Sequence, residues 1–261
     1  MKMTSYWQKR KFDEETALAN ISEEKLMRKL AKEYLRMQRD IIRDLENLYY
    51  KIINEGGSDV ALVSHLYAFS GYYETLNEIQ RKLIVMGSRE IEQIDSSLQK
   101  LYKDNGKRVT KQFNLPFDPT DESVKNVVEK VWCNDGLTFS QRIWGHQNQL
   151  LNRLNATLVD AVARGVNPDK LTENLMFDFG VSFHNASRIV RTETSRIMNQ
   201  SAADAYSDAG LDEYEVLADQ SEVCDHCESF NGKRFKIKDQ VIGLNAPPFH
   251  PNCRCCILGV V

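Results

Sequence analysis

The sequence predicts an α+β protein, with long helices through its N-terminal and middle regions and a small β unit at the C-terminus. Three observations carry this reading. Apolar residues between Leu26 and Ile52 recur at helical spacing; caps and breakers, not strand alternation, punctuate the chain as far as Gly210; and beyond Gly210 short β-prone runs alternate with turn residues. Five of the six cysteines fall within that last stretch, between positions 224 and 256.

The first helix is predicted over 22–54. Ser22 suits an N-cap, Glu23 and Glu24 suit the positive end of the dipole, and Ile21 with Leu26 have the spacing of a hydrophobic staple. Its apolar stripe runs Leu26, Leu30, Tyr34, Met37, Ile41, Leu45, Leu48, Ile52, an eleven-residue rhythm that stays nearly straight along the axis. Gly56-Gly57 ends it. A second helical stretch is predicted from near Ser58 to Asn105-Gly106, with Gly71 and Gly87-Ser88 as kinks or breaks and Tyr67, Phe69, Tyr72 and Tyr73 as core aromatics. Residues 107–119 carry two prolines and lose periodicity, so they are read as a linker between an N-terminal helical hairpin or bundle (1–106) and a second region (120–261). Within that second region four helices are predicted by their caps: Thr120 to Cys133, Ser140 to Arg164 before Gly165, Pro168 to about Phe179 with Asn167 as cap, and Ser182 or Asn185 to Ala209 before Gly210. A β module over 211–261 completes it, with strands at 213–219 and 255–261 and a hairpin turning on Asn231-Gly232 within 230–237.

Composition narrows the function. The formal charge of −3, from 34 basic and 37 acidic residues, gives no global basic field for nonspecific nucleic-acid binding. The N-terminus lacks an apolar core of signal-peptide length, and no window has the roughly 18 apolar residues of a membrane span. The chain is therefore expected to be made and kept in cytosol, where paired cysteines read as metal ligands or redox centres before disulfides. No Gly-rich phosphate loop, nucleophile elbow or H-E-x-x-H is present.

The chemistry-bearing residues are the two turns. A tetrahedral zinc site takes two chelating pairs, each offered from a tight turn. Cys224-x-x-Cys227 is one such pair and His250-Pro-Asn-Cys253 the other; Cys255, on the same side as Cys253 in an extended chain, is the alternate ligand. No thioredoxin-like βαβ pattern surrounds the C-x-x-C, which disfavours a redox role. Four or five good donors leave no open position, so the zinc is expected to be structural, its binding free energy serving as folding free energy. His226 reads as a solvated neighbour, Cys133 as a half-buried thiol, and His65, His146 and His184 as isolated helical histidines.

The stretch 188–200, RIVRTETSRIMNQ, places Arg188, Arg191, Glu193 and Arg196 on one broad side of a helix. They are candidates for docking the β module or for contacting phosphate, and no catalytic residue is assigned. Two further classes remain on these residues: a zinc-dependent nucleic-acid-binding module, and a nucleic-acid or ADP-ribosyl-transfer enzyme of a mobile element using Glu193 or the metal. The five basic and five acidic side chains of 219–261 weigh against the module.

The ordered combination R-T-E-T-S-R at 191–196, EVLAD at 215–219, C-D-H-C-E-S-F-N-G-K-R-F from 224 and P-P-F-H-P-N-C-R-C from 247 resembles the phage head morphogenesis family, typified by the phage Mu F protein and the minor head protein of phage SPP1. The resemblance covers roughly 120–261. It implies a minor capsid protein at the portal vertex, acting in procapsid assembly, genome packaging and DNA ejection. It further implies the portal protein as partner, with major capsid or scaffold protein and weak contact with packaged DNA as additional possibilities. The implied location is the virion, in the capsid interior or at the portal vertex, and the host cytoplasm during assembly. Some relatives carry an additional toxin or nuclease domain after the Cys/His module; here the sequence given ends at Val261, so no such activity is expected of it.

Overall fold

The structure, a computed structural model, describes residues 6–56, 70–218 and 223–260. Helix α1 spans Tyr6–Gly56, α2 Ser70–Thr110, α3 Asp121–Val128, α4 Phe139–Arg164 and α5 Pro168–Asp208; then follow strand β1 (Glu213–Leu217), the one-turn helix α6 (Asp225–Glu228), β2 (Arg234–Lys236) and β3 (Cys256–Val260). The α+β reading holds, with long helices preceding a small C-terminal sheet.

The predicted start of the first helix does not hold. Ser22 lies inside α1 and Ile21 is 65 % exposed, so there is neither cap nor staple there. Residues 13–21 contain no glycine or proline and consist largely of good helix formers, which carry the helix past a serine whose penalty is only a few tenths of a kcal/mol. The stripe itself is as expected: Leu26, Leu30, Tyr34, Ile41, Leu45, Leu48 and Ile52 are all buried, with Met37 partly so.

Helix α2 runs unbroken through Gly71, Gly87 and Gly106. The last two glycines serve close approach, not breaking. A Cβ on Gly87 would lie 2.9 Å from the Trp144 ring, and one on Gly106 would lie 2.0 Å from the Phe117 ring. Of the predicted aromatic core, Tyr72 is buried, Tyr73 is 55 % exposed, and Tyr67, Phe69, His65 and the start near Ser58 lie outside the described residues.

Asn167 caps α5 as predicted, accepting from Asp169 N at 2.8 Å, and Thr120 caps α3 through Ser123 N. However, α3 stops at Val128 rather than Cys133, and the two helices predicted over 168–209 are one, since Gly180 sits in open space and interrupts nothing. Gly165 and Gly210 follow their helices with φ of +60° and +74°, the left-handed conformation that favours glycine at such ends.

The chain forms two compact units, neither continuous in sequence. One comprises Met1–Met27, Gln93–Phe139 and Ser187–Val261; the other comprises Arg28–Glu92 and Ser140–Ala186. Residues 107–119 lie within the first, where Phe117 is buried and its ring lies 5.7 Å from that of Tyr102. The second is a helical unit whose core includes Ile41, Leu45, Ile79, Leu83, Leu154 and Leu171. Each such side chain contributes roughly 1.5–3 kcal/mol by leaving water.

In the first unit the sheet has the order β2-β1-β3, antiparallel throughout. Glu213 pairs with Lys236 on one side and with Val260 on the other. The hairpin predicted inside 230–237 is absent: β2 pairs with β1, and Asn231-Gly232 forms the turn that leads into it. Gly232 N donates to Val216 O at 2.8 Å, Val216 N donates to Lys233 O at 2.9 Å, and the Asn231 side chain accepts from Ala218 N. Phe230 is thereby kept for stacking on Phe249, with ring centroids 4.4 Å apart.

Candidate metal centre

Each chelating pair is shaped by its own turn. Cys224 is the N-cap of α6, in extended conformation, with its sulfur accepting from Cys227 N at 3.5 Å. One helical turn puts residues three apart on the same side, so Cys224 and Cys227 converge. In the second turn Cys253 N donates to His250 O at 3.1 Å, and Asn252 adopts a φ of +63°, a conformation asparagine tolerates better than most residues. The His250 Nδ1 lies 2.8 Å from the Pro251 carbonyl, the position of a donated N–H, which leaves the Nε2 lone pair aimed at the sulfurs.

His250 Nε2 is 3.4 Å from Cys224 Sγ and 3.1 Å from Cys227 Sγ, and Cys227 Sγ is 3.7 Å from Cys253 Sγ. An ion holding sulfur at ~2.3 Å and nitrogen at ~2.0 Å in a tetrahedron sets edges of about 3.8 Å for S···S and about 3.5 Å for S···N. The donors therefore stand close to where one ion would hold them. They fall into two triads that meet at Cys227: Cys224, Cys227 and His250, and Cys227, Cys253 and Cys255, with the donor atoms of each within 4.8 Å of one another. These groups can hold a metal ion.

The electrostatics agree with that use. A hydrogen bond from Cys255 holds the Cys253 thiol down to about 5, while Cys255 itself is pushed far up by the same bond and by burial. Burial pushes Cys227 up to about 12, with the negative Cys253 adding to it. Cys224 is lowered by the Cys227 N–H and by His250. Burial alone would lower His250, yet the Pro251 carbonyl and the Cys253 and Cys224 sulfurs outweigh it and raise it. Protons are thus shared among crowded sulfurs, and a cation can replace them.

The 188–200 stretch divides between inside and outside. Arg188 and Arg191 are exposed, whereas Glu193 and Arg196 are buried. Arg196 Nε donates to Glu193 Oε2 at 2.6 Å, and its two terminal nitrogens donate to Val127 O and Val128 O at 2.8 Å, capping the carbonyl end of α3. Trp132 Nε1 donates to Glu193 Oε1 at 3.0 Å. The single broad side expected for the four residues is therefore split: two of them lock the unit from within, and two face solvent.

The residues that seat the Cys/His module were not singled out from sequence. Thr192 Oγ1 accepts from Asn252 N at 3.1 Å, and Asn199 Nδ2 donates to Cys255 O at 3.2 Å, so one face of α5 holds the second turn at both ends. Arg254, between Cys253 and Cys255, donates to Glu23 Oε1 at 2.9 Å. The available signal was the polar run TETSR in mid-helix: buried polar side chains need partners. His226 is exposed beside Phe230 and Phe249, Cys133 is half-buried, His184 is exposed and His146 half-buried.

Fold and site together define a helical protein that ends in a β module with a metal-capable Cys/His cluster. Residues 152–258 match the family described as Phage Mu protein F like protein, so this part of the chain is similar to a phage head morphogenesis family. No curated protein and no solved structure matches the chain. No helix among the described residues is long and apolar enough to cross a membrane.

Proposed function

We propose that this chain is a minor head protein of a tailed phage or prophage, bound at the portal vertex and acting in procapsid assembly and in packaging or delivery of the genome. Its Cys/His cluster holds a structural zinc ion, with ligands Cys224, Cys227, His250 and Cys253 and with Cys255 as alternate. The observation that carries this reading is the Mu F-like match over 152–258, which contains the whole cluster. Zinc suits the donor set, since thiolates with one imidazole select it over the oxygen-preferring Mg²⁺ and Ca²⁺. A non-enzymatic role is supported by Glu193, whose carboxylate is engaged by Arg196 and Trp132 inside the unit. The partners are the portal protein and, less directly, major capsid or scaffold protein; Arg188 and Arg191 are exposed cations available for weak contact with packaged DNA. The protein resides in the virion and passes through host cytoplasm during assembly.

Quantitative mass spectrometry of purified heads tests this. The chain is expected in DNA-free and filled heads at a copy number far below that of the major capsid protein. Its absence from both, with the chain present in the lysate, would overturn the reading.

A further inference from the structure

The second cysteine turn does more than supply ligands. Arg254 sits between Cys253 and Cys255 and extends away from the sulfurs to α1, where Nη1 donates to Glu23 Oε1 at 2.9 Å and to Asn20 Oδ1 at 3.3 Å. The Glu23 side chain is 8 % exposed, against 31 % for Arg254. Thr16, Ala19 and Glu23 of α1 face Ser195, Met198, Cys255 and Cys256 around a cavity of about 30 Å³. Among residues 13–27 whose side chains are described, only Glu23 and Leu26 are buried, and Ile21 is 65 % exposed. This end of the helix thus rests on few apolar contacts, and one of its two buried side chains is a carboxylate that needs a cation.

We infer that metal loading of the Cys/His cluster fixes the N-terminal end of α1, residues 13–27, through Arg254. This rests on the metal reading above. The turn over 250–255 is held by the metal donors His250 and Cys253, by Thr192 at Asn252 and by Asn199 at Cys255. Without the ion the sulfurs lose their common centre and the turn loses its pinned geometry. Arg254 then no longer stands opposite Glu23, a buried carboxylate is left uncompensated, and the helix end frays. The cluster is in this way a metal-dependent latch on a helix more than 220 residues away in sequence.

Hydrogen exchange read by mass spectrometry on the full chain tests the latch. With zinc bound, amides of 13–27 are protected; chelation is expected to speed their exchange about tenfold or more, alongside that of the C-terminal module. Arg254→Ala and Glu23→Ala provide the independent arm. Both keep zinc, because neither removes a donor, and both are expected to accelerate exchange in 13–27 while leaving 223–260 protected. Unchanged exchange of 13–27 on zinc loss, or in a zinc-loaded variant, overturns the latch and leaves the metal site standing. A wild-type chain that binds no zinc overturns both.

Discussion

At the scale of single residues, Arg196 is a heavily committed side chain of the first unit. Its guanidinium meets the Glu193 carboxylate and two helix-end carbonyls, while both members of the ion pair are less than 5 % exposed. Removing one partner of a buried pair leaves the other uncompensated, which costs about 3–5 kcal/mol. Arg196→Ala is expected to lower unfolding free energy by that amount in denaturant titration, and Arg196→Lys to recover little, since an ammonium lacks the planar fork that serves three acceptors. A loss below ~1 kcal/mol would show that the pair is dispensable. Sequence spacing correctly brought Glu193 and Arg196 within i,i+3 reach, but could not separate them from Arg188 and Arg191. Which face of a helix is buried depends on what packs against it, and here the packing comes from α3 and Trp132. The Cys and His residues that the structure brings together were legible because chelating spacing is a local property. Thr192, Asn199 and Arg254, which place those donors, were not, because their partners are 60, 56 and 231 residues distant.

At the scale of elements, helix existence was legible and helix ends were less so. The stripe from Leu26 to Ile52 announces α1, yet Ser22 looked like a start and Gly87 and Gly106 like breaks. A serine caps only where the helix has no cause to continue, and a glycine can be present because an aromatic ring needs its space. The Asn231-Gly232 turn was placed correctly but assigned the wrong partner strand, since β2 seeks β1 and not its own neighbour. In the second unit, three helices meet at a buried carboxyl. Glu90 of α2 accepts from the Tyr34 hydroxyl of α1 at 3.2 Å and from Gln147 of α4 at 2.9 Å. Burial pushes its proton affinity up to about 7, which those hydrogen bonds only partly offset. The folded state therefore holds this proton more tightly than the unfolded chain, whose carboxyl titrates near 4.5. Its stabilising contribution is complete below the unfolded value and declines as pH rises from about 4.5 to about 7, by roughly 3 kcal/mol at most. Urea unfolding followed from pH 4 to 8 should show that decline, and Glu90→Gln should flatten it. An identical slope in the variant would assign the pH dependence to other groups.

At the scale of the whole molecule, long helices precede a small sheet that buries Tyr214, Val216, Leu217 and Ile257, beside which the cysteine turns form a cluster of their own. The local cluster there is Ala218, Cys227, Cys253 and Cys255 with Phe249 against it, so three of its four buried members are sulfur donors. An ion at their centre would add cohesion to this cluster beyond side-chain burial. Residues 152–258, which match the Mu F-like family, contain this cluster and the α5 face that seats it.

X-ray absorption at the zinc edge, on protein purified without added metal, probes this claim most directly. About one zinc per chain is expected, in a closed shell of sulfur and nitrogen at ~2.3 Å and ~2.0 Å. A shell containing a water oxygen would contradict an architectural ion, and protein that folds and resists protease with no zinc at all would contradict the metal centre itself.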